Sequence, residues 1–211
     1  MISPLDRGIY LASRSPRRRE LLTQIGVRYH LLLFRERPGS GIEVSEEPLA
    51  GEAPDAYVER VARAKADAGW RRMLQRNLPH APVLAADTTV ALDGRILGKP
   101  ADRKEAASML AALSGRSHEV LSAIAIQYVD RLESALSRSE VRFKDLAPQE
   151  IADYVATGEA DDKAGAYAIQ GHAARFVAEL RGSYSGVMGL PLFETAQMLE
   201  RLAGPPPRKF S

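Results

Sequence analysis

The sequence predicts an α/β fold. Helical apolar stripes alternate with short apolar or β-branched runs, no segment repeats, and no low-complexity stretch interrupts the alternation. The length of 211 residues is enough for one sizeable core. One domain is therefore expected over residues 1–203, with the proline-rich end, residues 204–211, as a disordered tail.

Residues 9–12 read as a short strand feeding a helix that starts at Ser15 and Pro16. Serine is a preferred N-cap, and the missing N–H of proline costs nothing at the first helical position. Leu21, Leu22 and Ile25 form the apolar face, and Gly26 ends the helix. Residues 27–34 read as a second strand, followed by a polar loop over 35–53. A helix over residues 54–68 carries Val58, Val61, Ala62 and Lys65 on one stripe, which places a lysine in line with a buried face. The run "APVLAADTTVALDGRIL" is a central strand and its return about an Asp93–Gly94 turn. Asp102 and Glu105 form a capping box for a helix with Ala106, Met109, Leu110 and Leu113 inward and Gly115 at its end. Residues 117–128 and 132–143 read as paired strands, and residues 148–156 as a helix stopped by Gly158. "DDKAGAYAIQGHAARFVAEL" reads as a loop and a glycine-rich strand pair. The last helix starts at Pro191 and turns Leu192, Ala196, Leu199 and Leu202 inward.

Charge and composition narrow the function. A net charge of +2 is too small for a general nucleic-acid surface, and the basic residues are not interleaved with aromatics as stacking platforms require. Nucleic acid is not an expected partner. Neither an apolar run of membrane-spanning length nor a signal peptide is present, so a cytoplasmic setting without a membrane partner is expected. The absence of cysteine excludes disulfides, a thiolate nucleophile and a cysteine zinc site, and four scattered histidines lack metal-ligand spacing. Any metal should be oxygen-bound.

Two anomalies carry chemistry. Arg17, Arg18 and Arg19 occupy the first turn of their helix, where each cation is disfavoured by roughly 0.3–1 kcal/mol unless something compensates. The same helix end offers unpaired N–H groups to an anion. Successive positions are about 100° apart, so at most two of the three arginines face one ligand; Arg17 and Arg18 are the pair and Arg19 is expected to be solvated. A plain surface cluster explains this segment equally well. Asp87 is the second anomaly. A carboxylate inside "VLAADTTV" must be paired, metal-bound, protonated or at a strand end facing a cleft, and all but the protonated case let it act as a base or ligand. A turn-capping aspartate is the plainer alternative. Taken one at a time, Thr88 and His118 read as strand residues, Lys65 as a snorkelling side chain, and Lys99 and Gln170 as loop residues. Together the segments around Arg17, Lys65, Asp87, Lys99 and Gln170 supply several cations and one carboxylate, the parts for attack of water on a polyphosphate. Neither a Walker A sequence nor a GxSxG elbow is present.

The segments "LASRSPRRRELL", "ADTTVALDGRILGKP", "LSGRSHEV", "DKAGAYAIQG" and "GSYSGVMGLPL", in this order, resemble the Maf family of nucleoside triphosphate pyrophosphatases. The resemblance implies a mixed α/β sheet of the Maf/ITPase-like kind, two lobes about a deep cleft, and a homodimer. "DKAGAYAIQG" resembles the branch acting on dTTP and UTP. By that resemblance Asp87 is the proton acceptor, and Arg17, Thr88 and Gln170 are positions of substrate choice. Ser13, Arg18, Lys65 and Lys99 match positions that contact phosphates or support catalysis. The implied cofactor is Mg²⁺ or Mn²⁺. Family members carry an acidic pair in the loop after the second strand, whereas this chain reads "GIEVSEEP". Glu43 supplies one partner beside Asp87, Val44 stands where the second carboxylate is expected, and Glu46 or Glu47 is the substitute. Two rivals stay open: a pyrophosphatase for 7-methyl-GTP or another modified purine, and a non-catalytic division regulator binding nucleic acid or protein through the arginine patch.

Overall fold

Among the described residues, seven strands share one sheet: β1 (Ile9–Leu11), β2 (Tyr29–Leu31), β3 (Val83–Leu92), β4 (Arg95–Leu97), β5 (Ser117–Tyr128), β6 (Arg131–Phe143) and β7 (Val177–Arg181). The structure is a computed structural model that describes Leu5, residues 8–33 and residues 44–203. Glu43 and the expected tail over 204–211 lie outside the described residues. The helices are α1 (Pro16–Gln24), α2 (Pro54–Gln75), α3 (Arg103–Leu113), α4 (Pro148–Ala156), α5 (Tyr184–Met188) and α6 (Leu192–Ala203). The sheet order is β2-β1-β3-β5-β6-β7, with β4 also paired to β3. β1 runs parallel to β2 and β3, and every other pair is antiparallel, so the sheet is mixed. Among the described residues no helix is long and apolar enough to cross a membrane.

Alternation along the strands decides what covers each face. Val83, Ala85 and Ala91 of β3, with Leu121, Ala123 and Ala125 of β5, meet Val58, Val61, Ala62 and Ala66 of α2. The opposite face, Leu84 and Ala86 with Ile124 and Ile126, is covered by Leu21 and Leu22 of α1 and by Met198 and Leu199 of α6. Val58 and Val61 are fully buried, each contributing on the order of 1.5–3 kcal/mol. α3 and α4 close a third cluster with Leu110, Leu113, Ile151 and Tyr154.

The paired strands, α4 and the Asp93–Gly94 turn fall where the sequence reading placed them, the turn with positive φ at both residues. Asp102 accepts the N–H of Glu105 at 2.8 Å, but the Glu105 carboxylate reaches past the cap to the N–H of Ala101 at 2.6 Å. Three expectations are corrected. α2 does not stop at residue 68 but runs on to Gln75. Gly69, the costly residue in that extension, is there because a Cβ would stand 2.7 Å from Val83 Cγ1 and 3.2 Å from Ala12 Cβ. The glycine lets α2 settle onto the sheet. The second strand is only three residues long and partly exposed, as suits the sheet edge. The expected strand pair near the C-terminus is a single strand, β7 on β6, preceded by 3₁₀ turns at Ala164–Ala166 and His172–Phe176. Gly165 and Ala166 have φ of 65° and 59°, a conformation no strand ladder accepts. In α6 the buried residues are Thr195, Met198 and Leu199, with Leu192, Ala196 and Leu202 half-buried beside them. The short helix α5, capped by Ser183 accepting from Gly186 N at 2.9 Å, is not anticipated from the sequence.

His118 is a core residue, as its strand position suggests. Its ring packs edge-on against Phe143 and Tyr167, and Nε2 shares a hydrogen bond of 2.8 Å with the Tyr167 hydroxyl. Burial pushes the imidazole down to about 4 from an ordinary 6.5. Between those values the unfolded chain binds a proton that the folded chain refuses, so this contribution to stability is complete above pH 6.5 and is lost as pH falls towards 4. Denaturant titrations should show the wild type losing roughly 3 kcal/mol more than a His118→Gln variant over that window. Parallel losses in both proteins would show that His118 takes up its proton as readily in the folded chain as in the unfolded one.

Candidate active site

Among the described residues, β3 lacks a strand neighbour along part of one edge, and the site forms there. β5 pairs with residues 83–91 of β3 on one side. On the other, β1 reaches only Val83 and Leu84, and β4 takes up the edge at Val90. Asp87 and Thr88 lie in the interval between, and being consecutive strand residues they point to opposite faces. α1, following β1, and the loop of Gly98 and Lys99, following β4, begin at the two ends of that interval.

Asp87 is 7% exposed and faces α2, where Lys65 Nζ donates to its Oδ1 at 2.8 Å. The same ammonium is 2.9 Å from Glu46 Oε1, so one lysine joins two carboxylates. Burial opposes ionisation of Glu46, but Lys65, aided by Lys99 and Arg18, holds its carboxyl below the ordinary value. The Tyr57 hydroxyl fixes the Glu46 backbone by donating to its carbonyl at 2.8 Å. Burial, with the charges of Asp87 and Glu46, pushes this phenol up to about 12 and keeps it a donor.

On the other face, Thr88 Oγ1 shares a hydrogen bond of 2.8 Å with Ser122 Oγ, its register partner on β5. Arg18 is aimed here from α1: Nε donates to Gly189 O at 2.8 Å, Nη1 to Ser13 Oγ at 3.2 Å, and Nη2 stands 3.5 Å from Thr88 Oγ1. Burial lowers the pKa of Arg18 against the opposing charge of Asp87, and burial also lowers that of Arg17. Arg19 is half-buried rather than freely solvated. Ser15 makes no side-chain cap hydrogen bond and the first turn of α1 holds no acidic residue. Two desolvated arginines thus share the positive end of the helix, Arg18 opposed by the charge of Asp87 and Arg17 by that of Glu20.

The structure brings Ser13, Arg18, Lys65, Asp87 and Thr88 together around the open edge of β3. Lys99 joins them electrostatically through Glu46, although its side chain is exposed. Gln170 is also exposed, and no hydrogen bond ties it to this cluster. Three contributors escaped the sequence reading. Ser122 and the Gly189 carbonyl have no local signal, since their partners are 34 and 171 residues away. Lys163 follows two aspartates at the start of a segment expected to be a loop and strand pair, yet its side chain is only 14% exposed and ion-paired to Asp162. Burial lowers its pKa and Arg17 adds to that; Glu159 opposes, and Lys99 again lowers it. Two shallow hollows, one between α3 and α4 lined by Ala107, Leu146 and Ile151 and one beside Asp93 and Glu140, lie away from this cluster.

The family model described as Maf-like protein matches residues 8–202. A curated relative from Nitrosomonas europaea is 56% identical over 200 residues, covering 95% of this chain and 97% of its own. Another, from Aromatoleum aromaticum, is 58% identical over 206 residues, covering 97% and 100%. Both bear the name dTTP/UTP pyrophosphatase. The solved structure of the Staphylococcus aureus Ham1 protein is a distant likeness, with a TM-score of 0.41 at 18% identity over 66% of this chain and 72% of that one.

Removing Lys65 leaves Asp87 buried without its partner. A Lys65→Met variant should lose about 1–3 kcal/mol of stability in denaturant titration. Adding Asp87→Asn should recover part of that loss, with a coupling of about 1 kcal/mol or more between the two sites. Strictly additive losses would show that the pair does not interact.

Proposed function

This chain belongs to the Maf family, and we propose that it is a nucleoside triphosphate pyrophosphatase acting on dTTP and UTP, releasing the nucleoside monophosphate and pyrophosphate. The observation that carries the reading is a buried carboxylate, Asp87, at the open edge of β3 beside Arg18, Lys65 and Glu46. A carboxylate in such a position suits proton abstraction from water, and the surrounding cations suit a polyphosphate. The names of the relatives support the same substrate pair. In this reading Asp87 takes a proton from the attacking water, with Lys65 holding its Oδ1 and leaving Oδ2 as the acceptor. The water oxygen bonds to phosphorus, the bridging bond breaks, and pyrophosphate departs. Ser13, Arg17, Arg18, Lys65 and Lys99 bind phosphate oxygens, while Thr88 and Gln170 take part in substrate choice. The Gln170 amide offers both a donor and an acceptor to a pyrimidine edge.

The reading includes Mg²⁺ or Mn²⁺. Two hard carboxylates, Asp87 and Glu46, meet at one lysine, and such ions take one or two carboxylates and complete their shells with substrate phosphates. Among the described residues no group of three or more His, Cys, Asp or Glu gathers that could hold a metal. Asp87 and Glu46 would hold the ion together with the substrate, Glu46 in the place expected for Glu43. An ion held by these residues would supply positive charge to offset that of the leaving pyrophosphate. A homodimer in the cytoplasm completes the proposal.

A nucleotide panel read by pyrophosphate release, with Mg²⁺ and with Mn²⁺, should rank dTTP and UTP above 7-methyl-GTP and the common purine triphosphates. Asp87→Asn should bind nucleotide and lose about 100-fold or more in kcat; near-normal turnover would sink the assignment. Among the arginines, Arg18→Ala should lower kcat/KM about tenfold or more, whereas Arg19→Ala should leave it within about twofold. Equal losses at both positions would refute the division of labour along α1.

A further inference from the structure

The loop between α4 and β7 brings a further cation to the site. We propose that Lys163, with Arg17 and Lys99, forms the binding site for the pyrophosphate end of the substrate and for inorganic pyrophosphate before release; this inference rests on the pyrophosphatase reading above.

Lys163 is placed by backbone geometry rather than by chance of rotamer. Its N–H donates to Ala160 O at 3.2 Å and its carbonyl accepts from Ala166 N at 3.0 Å. Two residues on, Gly165 N donates to Gly98 O at 3.1 Å, which fastens this loop to the one that carries Lys99. Gly165 makes the seam possible: φ is +65°, and a Cβ would lie 2.8 Å from Val90 Cγ2 on β3. The two lysines thus flank a single backbone hydrogen bond on loops tied to the edge of β3. From below, the Tyr154 hydroxyl holds the same loop by donating to Glu159 at 3.0 Å and accepting from Ala168 N at 3.2 Å.

The charges around Lys163 are mostly of its own sign or already engaged. Arg17 and Lys99 both repel its ammonium. Glu159 is occupied by Tyr154 and by His172 N, each at 3.0 Å. Asp161 is exposed, and the paired Asp162 side chain is 75% exposed, a position from which an ion pair is weak. A lysine that only snorkels buries its stem along apolar surface and holds its ammonium in water, apart from other cations. This one is instead 14% exposed and gathered with two further cations from two other elements. Three converging cations match the most highly charged part of a triphosphate, its pyrophosphate end. Lys99 acts on both Glu46 and Lys163, so its charge couples the carboxylate pair to this group. The reacting phosphorus would lie on the Asp87 side and the leaving group on the Lys163 side.

The test is calorimetric titration with inorganic pyrophosphate and, separately, with UMP, on the full chain and on Lys163→Met, Lys163→Arg and Asp162→Asn. Lys163→Met should weaken pyrophosphate binding about tenfold or more and change UMP binding by less than about twofold. Lys163→Arg should retain most of the affinity. Asp162→Asn, a surface change that leaves the core intact, should bind pyrophosphate at least as tightly as the wild type. Unchanged pyrophosphate affinity in Lys163→Met, or equal losses for pyrophosphate and UMP, would overturn the inference. If the wild type turned over no nucleoside triphosphate, the functional reading would fall, while the pyrophosphate titration would still decide whether the three cations form an anion site.

Discussion

A charged carboxylate in the central part of a sheet needs a counter-charge, and much of the molecule is arranged to bring Lys65 to Asp87. Val61, Lys65 and Gly69 follow one another at four-residue spacing on α2, so they lie along one line of the helix. Val61 is fully buried, and Gly69 meets Val83 of β3 and Ala12, just beyond β1, almost backbone to side chain. Between these two contacts the lysine has nowhere to lie but along the sheet, and its amine arrives 2.8 Å from Asp87. As a source of stability the arrangement is poor, since desolvating two charges offsets most of their attraction and an apolar pair of similar volume would serve as well. A pair that adds little to folding and occupies the interval where, among the described residues, β3 has an open edge is better understood as chemistry than as architecture.

The open edge follows from connectivity. β1 is too short to accompany β3 beyond Leu84, and its chain turns away into α1. The hairpin after Asp93 returns only far enough to pair at Val90. What fills the interval is therefore not a strand but the beginnings of a helix and a loop, both carrying cations. Thr88 is drawn into the same place from the opposite face, where Ser122 and Arg18 meet it. Two adjacent residues of one strand thereby serve two walls of one site.

How legible this was in the sequence depended on how local each cause is. Asp87 stood out because a charge inside an apolar, β-branched run has few explanations, and Lys65 because it broke a helical stripe at a buried position. The ends of β5 and of α4 were legible from their turns and caps. The extent of α2 was not, because Gly69 reads as a breaker until its neighbours Val83 and Ala12 are known. Nor were the turns around Gly165, where a run rich in small and apolar residues imitates a strand but positive φ at two successive residues forbids one. The anchor of Arg18 on Gly189 joins opposite ends of the chain, and no window of sequence contains it. Lys163 was hidden differently, since two flanking aspartates disguise a side chain that folding turns inward.

The first turn of α1 has a consequence for the energetics of the free protein. Its N-cap serine makes no side-chain cap hydrogen bond, its first turn lacks an acidic residue, and two of its arginines are partly desolvated. A bound phosphate would serve as the missing cap for that helix. Because such a ligand binds the folded chain and not the unfolded one, the melting temperature becomes a function of its concentration, rising by mass action as the site fills. Fold and occupancy are then thermodynamically linked: the chain is most robust in solutions rich in its ligand and loosest, starting from α1, where that ligand has been depleted.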